Sequence, residues 1–403
     1  MSTAAGTTAT SAIIPRKTSA SDDRDSDPIT RASERLDQNC SPLYPLQPPM
    51  TAFDIVVVGA GGGPDESNLS AYLLKSHTAH WKDGVLALEA GSGQGTLRRL
   101  LKQNPRLFQQ DSDLQCGSSL SASDIYKAVR GFLITHAHMD HIMSLVVSAG
   151  SLGGPRKRIH AVKQTLKDIE SSVFNDRTWP NLASWNEEDE DYKFLYSPLI
   201  PETEYEPIFP EVSVRTFPIN HGENELGNYE SVAYFIRHDV NGKEFLFFGD
   251  VEPDSVAKVP RTINVWRAAA PKIPDTLSTI FIECSWPSGQ PVSQLFGHLT
   301  PEYLLEELTT LALEVKKCRP NGHSSEQHAK HTRKRQRRLV SSSDLRNSLS
   351  GLTVYVMHCK DAGDDASDRP SREIIVESVR SLVEEKGLGV TILAAEQGMH
   401  IQI

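Results

Sequence analysis

Gly131-Phe132-Leu133-Ile134-Thr135-His136-Ala137-His138-Met139-Asp140-His141 carries an apolar run straight into three imidazoles and a carboxylate, and its reading decides the fold. The first five residues read as a buried strand. Alternate residues of an extended segment point the same way, so His136 and His138 can share one metal. Asp140 and His141 follow immediately after the turn and can reach a second. Imidazole and carboxylate together suit zinc, and also manganese or iron. Such a cluster beside a buried strand is costly to desolvate without a ligand.

A two-metal centre needs more ligands, and the chain offers three at strand ends. His221 follows Val214-Arg215-Thr216-Phe217-Pro218-Ile219-Asn220, Asp250 follows Phe245-Leu246-Phe247-Phe248-Gly249, and His358 follows Val354-Tyr355-Val356-Met357. Sites in α/β folds gather where strands empty into loops. The remaining pattern agrees. Strands are expected at 53–58, 68–74, 84–89, 212–219, 231–238, 243–248, 279–283, 353–357 and 390–394. Helices are expected at 96–103, 125–129, 301–317 and 371–385. Strands alternating with helices indicate an α/β architecture.

The chain has 403 residues, 38% of them hydrophobic, and a net charge of −10. The low apolar content predicts disordered segments, and residues 1–50, rich in Ser, Thr, Asp and Pro, read as a disordered tail. Residues 51–403 read as one domain with insertions at about 175–210 and 316–348. The second insertion holds the basic cluster Lys330, Arg333, Lys334, Arg335, Arg337 and Arg338. The acidic balance disfavours a nucleic-acid partner. No apolar run reaches the ~20 residues needed to span a bilayer, and a signal-peptide core is lacking. Five cysteines without a CxxC pair point to a reducing compartment, and hence a cytoplasmic protein, with the basic cluster a candidate nuclear import signal.

The run from His136 to Ala149 resembles the signature of class II 3′,5′-cyclic nucleotide phosphodiesterases, a branch of the metallo-β-lactamase superfold. So do Gly61-Gly62-Gly63-Pro64, Ala90-Gly91-Ser92, Phe281-Ile282-Glu283-Cys284-Ser285 and Phe296-Gly297-His298-Leu299-Thr300-Pro301. Met139 stands where the family usually has Leu, and Glu89 where the superfold usually shows Asp. The resemblance implies an αββα sandwich. It implies one metal held by His136, His138 and His221, another by Asp140, His141 and His358, and Asp250 bridging both. Two divalent ions, read as Zn2+, would acidify a shared water and neutralise phosphate oxygens. The implied reaction opens cyclic AMP, and cyclic GMP as a second substrate, to the 5′-monophosphate and so ends a cyclic nucleotide signal.

The expected catalytic residues are His298 and Asp140. His298 is the candidate acid for the leaving 3′-oxygen. It lies just ahead of a helix expected to have Thr300 as N-cap and Pro301 at N1. That helix dipole opposes a protonated imidazole, so a carboxylate or the substrate phosphate must compensate. Two other readings compete. One is an RNA-processing nuclease of the same superfold. The other is a dinucleotide fingerprint at Gly59-Ala60-Gly61-Gly62-Gly63, which fails because Pro64 holds the third glycine position. Ser341, behind Arg335, Arg337 and Arg338, suits a basophilic kinase, and a homodimer is a further expectation.

Overall fold

The computed structural model describes residues 51–109, 120–225, 227–319, 345–361 and 369–403. In chain order the first half runs β1 (Phe53–Gly59), β2 (Ala71–Ser76), β3 (Val85–Leu88), α1 (Gln94–Gln103), α2 (Ala122–Ala128), β4 (Val129–Leu133), α3 (Met139–Ser148), β5 (Lys157–Val162), α4 (Lys163–Ser172), β6 (Ala183–Ser184) and β7 (Phe194–Leu199). The second half runs β8 (Glu206–Phe209), β9 (Val212–Asn224), β10 (Gly227–His238), β11 (Glu244–Phe248), α5 (Thr262–Ala269), β12 (Leu277–Glu283), α6 (Pro301–Cys318), β13 (Thr353–Met357), α7 (Ser371–Lys386), β14 (Thr391–Ala394) and β15 (His400–Gln402). One sheet has the order β15-β1-β2-β3-β4-β5-β7-β6, the other β14-β13-β12-β11-β10-β9-β8.

Period-two alternation sorts the apolar side chains into three layers. Phe53, Ile55 and Val57 of β1 point inward and meet Val232, Tyr234, Phe245 and Phe247 of the opposite sheet. Val56 and Val58 point outward and pack with Leu97, Ile125, Ile142, Leu145 and Leu166 of α1 to α4. On the other side, Leu246, Phe248, Ile280 and Val354 pack against Trp266, Leu304, Leu308 and Val379 of α5 to α7. Helices cover the outer face of each sheet, so the architecture is the αββα sandwich of the metallo-β-lactamase type. Both faces of β1 are covered, which explains why every one of its residues is buried.

One polar group interrupts the first sheet. Asp54 of β1 is paired in register with Lys75 of β2 and Gln402 of β15. Its carboxylate accepts from Lys75 Nζ, which is completely buried, from Gln402 Nε2 at 3.0 Å, and faces His400 Nε2 at 3.1 Å. A buried carboxylate is tolerable only with such partners. They fasten the C-terminal strand to the centre of the fold.

The surface excursion expected over 175–210 is corrected in its last third. Phe194, Leu195, Tyr196 and Leu199 are buried, and β7 runs parallel to β5 over six residues. Pro198 concealed this strand, because proline cannot donate to a ladder. It is accommodated because β6 pairs only with Phe194 and Leu195, leaving that side of β7 open at Pro198. β8, at the edge of the second sheet, lies in the same stretch. The second insertion is narrower than 316–348 at both ends. Lys316 and Lys317 lie in the last turn of α6, and Leu345 is buried in the outer core. Ser341 and the arginines before it lie outside the described residues, as do residues 1–50. Among the described residues no helix is long and apolar enough to cross a membrane.

Candidate metal centre

The four polar residues after β4 occupy a turn that becomes a helix. His138 is the N-cap of α3, and Asp140 and His141 stand in its first turn. Asp140 therefore sits where the helix dipole favours an anion. The second sheet supplies the other three candidate ligands. His221 lies within β9, Asp250 two residues past β11, and His358 directly after β13.

His221 points inward because the ladder is irregular there. Asn220 pairs with Glu230 and Glu223 with Asn228, so His221 and Gly222 together face Tyr229 alone. Such a bulge re-aims a side chain beside a site, and Gly222 takes the left-handed φ of +80° that it requires. His358 also has a left-handed φ, +58°, uncommon for a residue with a β-carbon and concentrated at functional sites. Its conformation is held by its backbone N–H on Ala60 O at 2.6 Å and by Ser285 Oγ donating to its carbonyl at 2.9 Å.

The side chains converge as two groups. His136, His138, His221 and Asp250 form one, and Asp140, His141, Asp250 and His358 the other, with the ligand atoms of each within 4.8 Å of one another. Asp250 belongs to both and divides its oxygens between them. Oδ2 lies 3.6 Å from His136 Nε2 and 3.6 Å from His221 Nε2. Oδ1 lies 3.3 Å from His141 Nε2 and 3.4 Å from His358 Nε2. Nitrogens face nitrogens as well: His221 Nε2 and His138 Nδ1 at 3.2 Å, His141 Nε2 and His358 Nε2 at 3.1 Å. Ligands ~2.0–2.1 Å from a tetrahedral centre are about 3.3–3.4 Å apart, close to this spacing. His136 Nε2 is buried and has no hydrogen-bond partner. An orphaned nitrogen aimed at a carboxylate, within an all N and O donor set, fits a divalent cation.

The outer nitrogens are held too. His221 Nδ1 donates to Gly297 O at 2.9 Å, His136 Nδ1 faces Thr135 Oγ1 at 2.9 Å, and His358 Nδ1 faces Ser285 Oγ at 3.0 Å. Partners of this kind fix ring orientation and leave the inner nitrogen free. Glu89 lies 3.5 Å from His141 Nδ1 and accepts the backbone N–H of Thr135 at 3.2 Å. Its extra methylene relative to Asp lets one carboxylate serve both.

Electrostatics favour the ligating forms at three of these imidazoles. Burial, with His141 nearby, holds His136 well below the usual imidazole range, and burial drives His221 to about 4 against the pull of Asp250. Burial also lowers His138. His141 is the exception: burial works against its charge, but Asp250 and Glu89 raise it.

Gly61-Gly62-Gly63 is a wall of this centre. A β-carbon on Gly62 would come 2.5 Å from His358 Cε1 and Nδ1. Gly62 is therefore glycine because the chain passes flat against the His358 ring, whereas a β-carbon on Gly61 would meet Asn68.

His298 stands outside these two groups but forms a third close set with Glu283 and His358, its ring 4.9 Å from that of His221 and 5.3 Å from that of His358. The structure supplies the compensating carboxylate that its place before α6 demands. Glu283, at the end of β12 and fully buried, accepts at Oε1 from His298 Nδ1 at 2.9 Å. Burial opposes a charged ring, yet Glu283 and then Asp250 hold His298 above its ordinary value. Thr300 is the N-cap and Pro301 opens α6, although the Thr300 hydroxyl donates to Glu302 and not to the backbone. Glu283 was not singled out from the sequence as a site residue. It lay inside the family-like stretch Phe281-Ile282-Glu283-Cys284-Ser285, but as a carboxylate ending an apolar run it also suits a solvent-facing strand end.

A family model for class-II cAMP phosphodiesterases matches residues 58–398 of the chain. A 3′,5′-cyclic-nucleotide phosphodiesterase of Aliivibrio fischeri is 28% identical over 365 residues, covering 90% of this chain and 96% of the relative. One of Schizosaccharomyces pombe is 30% identical over 277 residues, covering 64% and 75%. The crystal structure of unliganded yeast PDE1 superposes with a TM-score of 0.71 at 26% identity, covering 87% of this chain and 99% of that one.

Proposed function

The chain belongs to the class-II cAMP phosphodiesterases, and from that premise we propose that it hydrolyses 3′,5′-cyclic AMP to 5′-AMP with two divalent ions, zinc by preference, at the centre built on Asp250. The observation that carries the two-ion reading is the division of the Asp250 carboxylate, one oxygen toward each histidine group. A shared anion is what two neighbouring cations require. The N and O donor set with no thiolate suits zinc. When bound, the ions supply a water acidified to neutral pH and positive charge against the phosphate.

The chain's own groups do the rest. His136, His138 and His221 hold one ion, Asp140, His141 and His358 the other. Asp140 acts in catalysis as a ligand. His298, with Nδ1 tied to Glu283, carries a proton on Nε2 for the 3′-oxygen as the phosphorus–oxygen bond breaks. The ring opens and the 5′-ester stays intact. Among the described residues Cys284, Cys318 and Cys359 are free thiols, which supports a reducing cytoplasmic setting.

Metal analysis and product identification test this together. The loaded protein should hold two equivalents of zinc and convert cyclic AMP to 5′-AMP alone. Chelation should abolish turnover and zinc should restore it. A 3′-monophosphate product, or turnover that survives complete metal removal, would overturn the reading.

A further inference from the structure

Beside the first histidine group lies a cleft of about 670 Å³, lined by His136 and His138 and, beyond them, by residues that belong to neither ligand group. One wall is the outer face of α4, where Gln164 and Asp168 are spaced four residues apart and therefore project together. The facing wall is the tip of the β9–β10 hairpin, with Asn228, Tyr229 and Glu230. Tyr229 is 43% exposed. Its ring centroid stands 5.3 Å from that of His138 and 6.3 Å from that of His221. The bulge that aims His221 inward thus places an uncovered aromatic ring one ligand's width from the metal centre.

The polar groups have a consistent sense. The charged side chains of the two walls are both carboxylates, Asp168 and Glu230, and Glu230 also lies 3.6 Å from Arg261. Gln164 Nε2 donates to Asp168 Oδ1 at 2.9 Å, which leaves Gln164 Oε1 to accept. An aromatic face beside acceptors suits a flat, uncharged ring system bearing amino groups. Carboxylates on the walls repel a second phosphate.

We propose that this cleft is the nucleoside pocket, with Tyr229 the stacking platform for the purine and the Gln164–Asp168 pair the acceptor of the adenine 6-amino group. The inference rests on the reading of the chain as a cyclic AMP hydrolase. It makes Tyr229 and Asp168 specificity-determining residues and explains an acidic cleft beside a phosphate-binding centre. Guanine presents an acceptor at the 6-position where adenine presents a donor, so a base held with that position toward the Gln164–Asp168 pair is read as adenine.

The test compares cyclic AMP with ribose 3′,5′-cyclic phosphate that carries no base, using zinc-loaded enzyme of measured metal content. Tyr229→Ala should lower the ratio of kcat/KM for cyclic AMP to that for the abasic compound about 5- to 100-fold, the usual loss of one base–aromatic stack. The loss should appear in KM, and Tyr229→Phe should restore the ratio. Asp168→Ala should lower the ratio of kcat/KM for cyclic AMP to that for cyclic GMP. An unchanged ratio in Tyr229→Ala, or equal losses on both substrates, overturns the pocket alone. A wild-type enzyme that does not turn over cyclic AMP overturns the functional reading and the pocket with it.

Discussion

Glu283 Oε1 and His298 Nδ1 lie 2.9 Å apart, both buried, beside but outside the two ligand groups. The pair resolves a conflict that the chain creates for itself, since the N-terminus of α6 disfavours a positive ring. If His298 protonates the leaving 3′-oxygen, His298→Ala keeps its metal and fold. Turnover of cyclic AMP falls ~10²–10⁴-fold, the usual contribution of a positioned acid. A substrate whose leaving group is p-nitrophenolate, which needs no proton, should lose far less. Equal losses on both substrates would assign His298 to phosphate positioning. Loss of metal would make it a ligand.

Asp250→Ala removes the one anion that faces both histidine groups. Metal content measured by atomic absorption should fall together with turnover, because the cations would confront each other across an empty position. Full metal content with normal turnover would rule out the bridging role.

Gly62→Ala tests the glycine wall. Its β-carbon would press on His358, so the ring must tilt and the metal affinity of the second group should weaken about 10- to 100-fold, as when a ligand's supporting contacts are lost. Titration with a competing chelator measures this, and unaltered affinity would show that the ring has room to move.

Asp54 governs acid stability. Burial raises its carboxyl, but the bonds from His400, Lys75 and Gln402 outweigh that and hold it well below the usual carboxylate range. A carboxylate depressed in the folded state contributes stability in full above its unfolded value of about 3.9, and that stability is lost as pH falls through the folded value. Asp54→Ala leaves Lys75 buried without its partner and should cost ~3–5 kcal/mol at pH 7. Urea midpoints at pH 7 and pH 3 check both statements: the gap between wild type and variant should narrow in acid.

What the sequence disclosed follows from how local each signal is. His136 to His141 are legible because six adjacent residues carry the chemistry, and His221, Asp250 and His358 because each ends an apolar strand. Their division between two groups became visible only when the sheets were stacked. Gly62 resembles a hairpin turn until His358, 296 positions later, is set against it. Tyr229 gives no signal, because its exposure depends on a bulge in the neighbouring strand. β7 was hidden by Pro198, and β15 is only three residues long, too short to show a period.

Each ligand group draws on both sheets: residues after β4 in the first, and His221, Asp250 or His358 in the second. Ions held by these groups would therefore also tie the two sheets together. A ligand that binds only the native chain stabilises it in proportion to its free concentration. Trace-metal scarcity would thus strike twice, silencing the enzyme and loosening the junction between the sheets. Cyclic AMP would then rise in a metal-starved cell through loss of the protein as well as loss of its turnover.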